Sequence, residues 1–285
     1  MIGVRKDNAA PENSLPASPD AWNTGTVADF LEFWLTNQVL QAEDQTVLDH
    51  YYRSYKQHFG PYLQHWYSRQ TEELNCFVKQ APGSSVLEVG CGCGTESLWL
   101  ALHGARVVAI DISQQLLTVA QRRQQWLEHQ IGQKLDCQFL CRSITDTDDF
   151  QEFDFVYMEQ AFHHMEPRAA VIENTARLVA DGGRLIISEA NAWNVFVQLH
   201  LLRLRGTKTI VVHEGRPWGH ERVTVPAALI RQFGRHGLIR ERLEYYRTLP
   251  NVRAADRFLW LDKKLPAVLK PLFTHFNLVL RKLPA

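Results

Sequence analysis

The sequence has no excess of charge of either sign, no paired cysteines and no hydrophobic run long enough to span a membrane. Its 31 Lys and Arg residues balance 31 Asp and Glu residues, so it lacks the positive field of proteins that bind nucleic-acid backbones. Its five cysteines are odd in number and lack zinc-site spacing, which predicts free thiols in a reducing compartment and no metal centre. The most apolar stretch, residues 190–202, is shorter than the roughly 20 residues of a membrane span. The amino terminus lacks a signal-peptide core, so we expect a cytoplasmic protein.

The sequence does contain three regions of different texture. Residues 1–25 are polar and rich in proline, which predicts a flexible tail. Residues 26–80 have helical periodicity and many aromatics, with a helix N-cap at Thr26, and predict a helical cap with helices at 27–40, 44–58 and 61–79. From residue 81 to residue 285, short apolar runs alternate with amphipathic stretches. This region predicts strands at 85–89, 106–110, 137–141, 153–158, 184–188, 238–246 and 276–282, and helices at 95–103, 113–129, 167–179 and 226–236. The alternation predicts an α/β fold with a Rossmann-like, doubly wound sheet.

A glycine-rich turn carries most of the functional information. Gly90, Gly92 and Gly94 alternate with cysteines between a predicted strand and a predicted helix. Glycines at this point let the backbone approach a nucleotide closely. Asp111 ends the next predicted strand, where a carboxylate can hold both ribose hydroxyls. The sequence therefore predicts a nucleotide-type site at the carboxyl ends of these strands.

The spacing and charge of this turn favour S-adenosylmethionine over a nicotinamide dinucleotide. The third glycine comes one residue earlier than in the dinucleotide pattern G-x-G-x-x-G. Glu88 lies two residues before the first glycine, where a carboxylate repels a pyrophosphate but suits an ammonium and a sulfonium. An NAD(P)-dependent oxidoreductase is therefore the weaker alternative. A non-catalytic module that binds S-adenosylmethionine or a protein partner is another.

These motifs resemble the class I S-adenosylmethionine-dependent methyltransferases, in the small-molecule branch called type 11 or ubiquinone/menaquinone-like. The resemblance covers about residues 80–190 and rests on four segments: 86–94, 109–113, 153–165 and 178–189. It implies a seven-stranded sheet of order 3-2-1-4-5-7-6, with strand 7 antiparallel. It also implies that Gly90 and Gly92 face the methionine end of the cofactor, Asp111 the ribose and Ile112 the adenine.

The resemblance leaves one position of the adenine site different from the family pattern. Ser143 occupies the position at which the family has an acidic residue, so backbone groups would contact the adenine there instead. Glu159, at the end of the fourth predicted strand, is expected to contact the amino group of the cofactor or to shape the pocket. The full set of candidate cofactor-binding residues is Glu88, Gly90, Cys91, Gly92, Gly94, Asp111, Ile112, Ser143, Ile144 and Glu159.

Methyl transfer from a sulfonium requires alignment of the acceptor and removal of its proton. A hydroxyl acceptor benefits from a base of near-neutral pKa, for which histidine is suited. His163 and His164 follow the fourth predicted strand, and Glu189 ends the fifth. We expect His163 to be the base and Glu189 to orient it, with His164 as the alternative base. The expected reaction is methylation of a small-molecule acceptor, with transfer to nitrogen or carbon, for example of a lipid- or quinone-like substrate, left as an alternative.

Two carboxyl-terminal features leave alternatives open. We expect residues 191–224 to form an insertion that covers the substrate, although His213, Glu214 and His220 raise the less favoured alternative of a metal site. Residues 258–273 are apolar with interspersed lysines. They favour a helix packed on the core over peripheral contact with a membrane surface. Neither the acceptor nor the oligomeric state follows from the sequence.

Overall fold

The computed structural model describes residues 25–80, 83–205, 211–212, 220–265 and 267–284. Seven strands form one sheet in the order β3-β2-β1-β4-β5-β7-β6. They are β1 (Ser85–Val89), β2 (Arg106–Asp111), β3 (Cys137–Cys141), β4 (Phe153–Glu159), β5 (Val179–Ala190), β6 (Leu238–Tyr246) and β7 (His275–Lys282). Strands β1 to β5 are parallel, and β7 runs antiparallel to both β5 and β6. The predicted fold class, strand order and antiparallel last strand are confirmed.

Alternate residues of the central strands enter two different cores, one on each face of the sheet. Val86 and Phe155 pack into the core under the helical cap, whereas Leu87 and Val156 pack into the core on the other face. All four side chains are buried. Burial on both faces explains why these strands appear in the sequence as continuous apolar runs.

Helices cover both faces of the sheet. They are α1 (Val27–Thr36), α2 (Ala42–Tyr51), α3 (Arg53–Lys56), α4 (Pro61–Gln70), α5 (Glu72–Gln80), α6 (Thr95–Leu102), α7 (Gln114–Ile131), α8 (Arg168–Leu178), α9 (Val195–Arg205), α10 (Pro226–Gly234) and α11 (Leu259–Lys264). Short 3-10 helices lie at Phe162–His164, Arg253–Phe258 and Ala267–Leu272, and a two-stranded ladder pairs Val211–Val212 with His220–Glu221. Within the described part of the chain, no helix is both long and apolar enough to cross a bilayer.

Four predicted boundaries were wrong. The predicted helix 27–40 ends at Thr36, because the backbone becomes extended at Asn37. The predicted helix 44–58 is interrupted at Tyr52, whose hydroxyl bonds to Thr95 instead of facing solvent. The predicted helix 61–79 is interrupted at Thr71, whose hydroxyl donates to the Tyr67 carbonyl, a back-bond that competes with regular helix. Strand β5 begins five residues earlier than predicted, because Val179 already pairs with Phe153 before a register shift.

The helical cap begins as the sequence predicts. Thr26 and Asp29 form a capping box, with the Asp29 carboxylate 2.7 Å from the Thr26 amide nitrogen. The buried aromatic side chains of the cap are Phe30, Trp34, Tyr52, Tyr62, Trp66, Tyr67 and Phe77. They join the core that includes Val86, so the cap and the sheet share one packed interior. The predicted tail lies outside the described residues, except for Gly25.

Candidate active site

The glycine-rich turn leads from β1 into α6 and is tightly enclosed. Gly92 has φ +52°, and a Cβ atom there would lie 2.1 Å from the Tyr51 hydroxyl. Gly94 has φ +72°, and a Cβ atom there would lie 2.7 Å from the Phe139 ring. Tyr51 therefore covers the middle of the turn, while Gly94 is required by packing against β3.

Asp111 lies beside this turn, as the parallel strand order requires. Its carboxylate accepts hydrogen bonds from the Gly92 amide at 2.9 Å and from the Ser113 amide at 2.8 Å. Burial raises the pKa of Asp111, and the backbone amides oppose that shift only in part. A carboxylate has about four lone-pair positions, so two remain for hydroxyl donors of a ligand.

Three buried or half-buried carboxyl groups lie on the cap side of the turn. Glu88 accepts a hydrogen bond from the Ser97 hydroxyl, Glu96 from the Tyr67 hydroxyl and Glu159 from the Gln70 amide. Burial raises the pKa of all three, and the mutual repulsion with Glu96 adds to the shift at Glu88 and Glu159. A positively charged ligand beside them would relieve this repulsion.

A cavity of about 870 Å³ lies between the carboxyl edge of the sheet and the cap. This volume is in the upper part of the roughly 300–1,000 Å³ range of small-molecule sites, which leaves room for a nucleoside and a second small ligand. The predicted cofactor residues that line it are Glu88, Gly90, Cys91, Asp111, Ile112, Ser143, Ile144 and Glu159. Gly92 and Gly94 are not among the lining residues, since Tyr51 and Phe139 lie against them.

The two adjacent histidines face different surroundings. His164 lines the cavity, as do its neighbours Ala161 and Met165. His163 is not among the lining residues, although part of its side chain is exposed. Its Nδ1 lies 2.7 Å from Glu189 Oε2 and its amide nitrogen 3.2 Å from Glu189 Oε1. Burial acts to raise the pKa of Glu189, but the His163 ring and its hydrogen bonds outweigh burial and hold that pKa below its usual value. Glu189 is therefore suited to be the ionised partner of the pair.

Sequence reasoning missed the side chains that hold the turn against the cap. Arg123 of α7 is fully buried, lies 4.3 Å from the ring centre of Trp34 and donates to the Cys93 carbonyl at 2.5 Å. It also donates to the Thr95 hydroxyl at 3.0 Å, which in turn bonds to Tyr52 at 2.6 Å. An arginine in an otherwise amphipathic helix gave no signal of this role.

A second missed network lies under Glu159. Gln70 bonds to Glu159 and accepts a hydrogen bond from the Tyr246 hydroxyl at 2.9 Å. Tyr246 also lies 2.7 Å from the Ser188 hydroxyl. The network connects the cap with β4, β5 and β6 below the cavity. The predicted alternative of a metal site at His213 and Glu214 lies outside the described residues, as does the side chain of His220.

Comparisons with known proteins match the central part of the chain to methyltransferases. Residues 87–187 match a family model described as a methyltransferase domain. The ubiquinone biosynthesis O-methyltransferase of Coxiella burnetii is 36% identical over 110 residues, which cover 38% of this chain and 44% of the relative. Phosphoethanolamine N-methyltransferase 1 of Zea mays is 29% identical over 168 residues, 55% of this chain and 32% of the relative. The chain thus spans less than half the length of these curated relatives.

Solved structures share the fold at low sequence identity. Magnesium protoporphyrin IX methyltransferase from Synechocystis, with bound SAH, has a TM-score of 0.56 and 20% identity, covering 84% of this chain and 95% of that chain. The cyclase SpnF has a TM-score of 0.51 and 19% identity, covering 76% of this chain and 82% of that chain. A methyltransferase and a cyclase on one fold show that the fold alone does not decide the reaction. Residues 87–187 therefore match the methyltransferase-domain family, and the relatives and solved structures that the chain resembles support a class I S-adenosylmethionine-dependent methyltransferase of the type 11 branch.

Proposed function

We propose that the protein transfers a methyl group from S-adenosylmethionine to a hydroxyl oxygen of a small-molecule acceptor. The observation that carries the oxygen acceptor is the 2.7 Å contact between His163 Nδ1 and Glu189 Oε2 at the carboxyl edge of the sheet. A buried carboxylate that holds Nδ1 leaves Nε2 as the nitrogen that takes a proton. The family match decides against the nicotinamide-dependent alternative.

The residues around the cavity fit this cofactor. Asp111 has lone pairs left for the ribose hydroxyls, and Ile112 and Ser143 lie next in the lining, where an adenine would pack. Glu88 and Glu159 lie where the positive charges of the methionine portion would relieve their repulsion. When bound, S-adenosylmethionine supplies an electrophilic methyl group.

We assign binding and deprotonation of the acceptor to the two histidines, and its coverage to the cap and the insertion. His163 takes the hydroxyl proton on Nε2 as the acceptor oxygen forms its bond to the methyl carbon, and the electron pair of the breaking carbon–sulfur bond stays on sulfur. Glu189 holds the ring orientation and stabilises the imidazolium. His164 lines the cavity and positions the acceptor. The cap encloses the acceptor, since His50, Tyr51, Tyr55 and Tyr67 line the cavity. The insertion of residues 191–224, which lies partly outside the described residues, is assigned to cover the acceptor.

A pair of neighbouring variants tests the proposal. The purified chain is incubated with S-adenosylmethionine and a panel of phenols and catechols, and mass spectrometry scores the gain of one methyl group. His163→Ala should lower kcat by roughly 10²–10⁴ and leave the Kd of S-adenosylmethionine nearly unchanged. The activity of the parent should rise with pH as imidazole becomes neutral, and the variant should lose that rise. Glu189→Gln should lower kcat less than His163→Ala does, because it removes an orienting charge and leaves the base in place.

His164→Ala is the matched control, since it removes the adjacent ring. It should raise KM for the acceptor more than it lowers kcat, because His164 lines the cavity. Full activity in His163→Ala with a collapse in His164→Ala would assign the base to His164. Full activity in both variants would contradict a base in this loop and would favour an amine acceptor.

A further inference from the structure

Large apolar side chains are exposed together on one part of the surface. They lie on helix α9, at Trp193 two residues before that helix, and on the 3-10 helix Ala267–Leu272. Phe196 is 71% exposed and Val268 is 77% exposed. We call this surface the apolar ridge, and its members are Trp193, Phe196, Leu199, Leu202, Val268 and Leu272. Exposed apolar groups in such a cluster mark a binding surface more often than isolated ones do.

The two segments of the ridge are held side by side. Asn194, just before α9, donates from its side chain to the Pro271 carbonyl at 3.0 Å. Asn191 donates to the Phe273 carbonyl at 2.9 Å. Asn191 and Asn194 are themselves fully buried, so this junction is part of the packed structure. The ridge is therefore one surface made of two segments that are distant in sequence.

The helical spacing also shows that the ridge is a face and not a scatter of residues. Phe196, Leu199 and Leu202 recur every three residues and share one side of α9. Leu201, on the other side, is 2% exposed and anchors the helix to the protein. The exposed side of α9 is thus largely apolar, with His200 and Arg203 as its exposed basic residues.

The exposed ionisable residues in the two segments that carry the ridge are basic. Arg203, Arg257, Lys263 and Lys264 are exposed. Within segments 193–205 and 253–272, the only acidic residues are Asp256 and Asp262.

Both acidic residues are half-buried and accept hydrogen bonds from other parts of the protein. Asp256 lies 2.8 Å from His58 Nε2 and accepts the Tyr62 amide at 3.0 Å. Asp262 accepts the Thr248 amide at 3.1 Å. The exposed ionisable groups beside the ridge are therefore basic, although the whole chain is neutral.

We infer that the apolar ridge docks onto a membrane surface that contains anionic lipid. Aromatic and aliphatic side chains that enter the interfacial region, flanked by lysine and arginine, are the pattern of peripheral membrane binding. A second copy of this chain is a poorer partner, because two basic rims would face each other across such a contact. The ridge lies at the carboxyl edge of the sheet, since α9 follows β5 and Asn191 follows the last residue of that strand.

Vesicle sedimentation of the full chain tests the inference. The protein is mixed with vesicles of phosphatidylcholine alone or of phosphatidylcholine with phosphatidylglycerol, and the bound fraction is measured against lipid concentration. Binding should be stronger to the vesicles with phosphatidylglycerol and should weaken with added salt. Phe196→Glu should weaken it by roughly tenfold or more. Lys263→Gln and Lys264→Gln should each weaken it by about fivefold on the anionic vesicles only.

Ile239→Glu is the matched control. Ile239 is also an exposed apolar residue, but it lies near the start of β6, paired with Arg281 at the opposite end of the sheet. This variant should bind vesicles like the parent. Val268→Glu repeats the test on the second segment, should Phe196→Glu fail to fold by circular dichroism.

Three results would overturn the inference. These are no binding of the parent to either vesicle, equal binding by Phe196→Glu and the parent, and equal loss in Ile239→Glu. A concentration-dependent dimer in sedimentation velocity that Phe196→Glu abolishes, without vesicle binding, would assign the ridge to self-association instead.

Discussion

Replacing Asp111 by alanine should weaken S-adenosylmethionine binding more than any other single truncation at the edge of the cavity. The carboxylate accepts the Gly92 amide at 2.9 Å and the Ser113 amide at 2.8 Å, and it lines the cavity. Its two remaining lone-pair positions are the acceptors that we assign to the ribose hydroxyls. Asp111→Ala removes all four acceptor positions at once.

The magnitude follows from the character of these bonds. Hydrogen bonds to a charged acceptor contribute about 1.5–3 kcal/mol, so the Kd should rise by roughly 10- to 150-fold. The Gly92 amide also loses its acceptor, which should lower the free energy of unfolding by about 1–3 kcal/mol. Isothermal titration calorimetry measures the first effect and urea denaturation measures the second.

Asp154→Ala separates the two effects. Asp154 also accepts two hydrogen bonds, from the amide and the hydroxyl of Ser85, both at 2.8 Å. It lies at the amino end of β4, away from the cavity. This variant should lower stability and leave the Kd unchanged. An unchanged Kd in Asp111→Ala, or an equal rise in both variants, would refute the assignment of Asp111 to the ribose.

The pH dependence of binding offers an independent check on the same carboxylate. Burial raises the pKa of Asp111 above its ordinary value, and only the ionised form accepts hydrogen bonds at all its positions. As pH falls, Asp111 is protonated earlier than an ordinary aspartate, so affinity should fall at a higher pH. Asp111→Asn should lose this acid limb, and a limb that persists in the variant would assign it to another group.

Two further substitutions, Gly92→Ala and Arg123→Met, test how the turn is held, with Gly104→Ala as a control outside the turn. Gly92→Ala should abolish most cofactor binding in calorimetry, because its Cβ would displace Tyr51. Gly104 has φ +88° and no atom within 4 Å of the position that a Cβ atom would take, so Gly104→Ala should act through backbone strain alone. It should lower the free energy of unfolding by about 1–2 kcal/mol and leave cofactor binding unchanged. Arg123→Met should lower the free energy of unfolding by about 1–3 kcal/mol, because the Cys93 carbonyl loses its donor. An unchanged urea midpoint in Arg123→Met would show that the turn does not depend on it.

The order of the strands and the edge of the sheet that carries the cavity could be predicted from local pattern and chain order. Strands buried on both faces appear as short apolar runs, and their alternation with amphipathic helices leaves few topologies. Because the carboxyl ends of parallel strands meet at one edge, the glycine turn after β1 and Asp111 after β2 had to lie together. The same rule brought Glu159 and Glu189 to that edge. These features depend on local pattern and on chain order.

The pairing of side chains across the site could not be predicted from the sequence, because it depends on tertiary packing. Tyr51 over Gly92 and Arg123 under Cys93 join segments far apart in sequence, and no local pattern specifies such contacts. The 3-10 turn at residues 162–164 sends His164 into the cavity and His163 toward Glu189, a difference of one residue that strand or helix periodicity does not resolve. Periodicity assigns a residue to a face of its own element, whereas a contact between elements depends on how several elements pack at once.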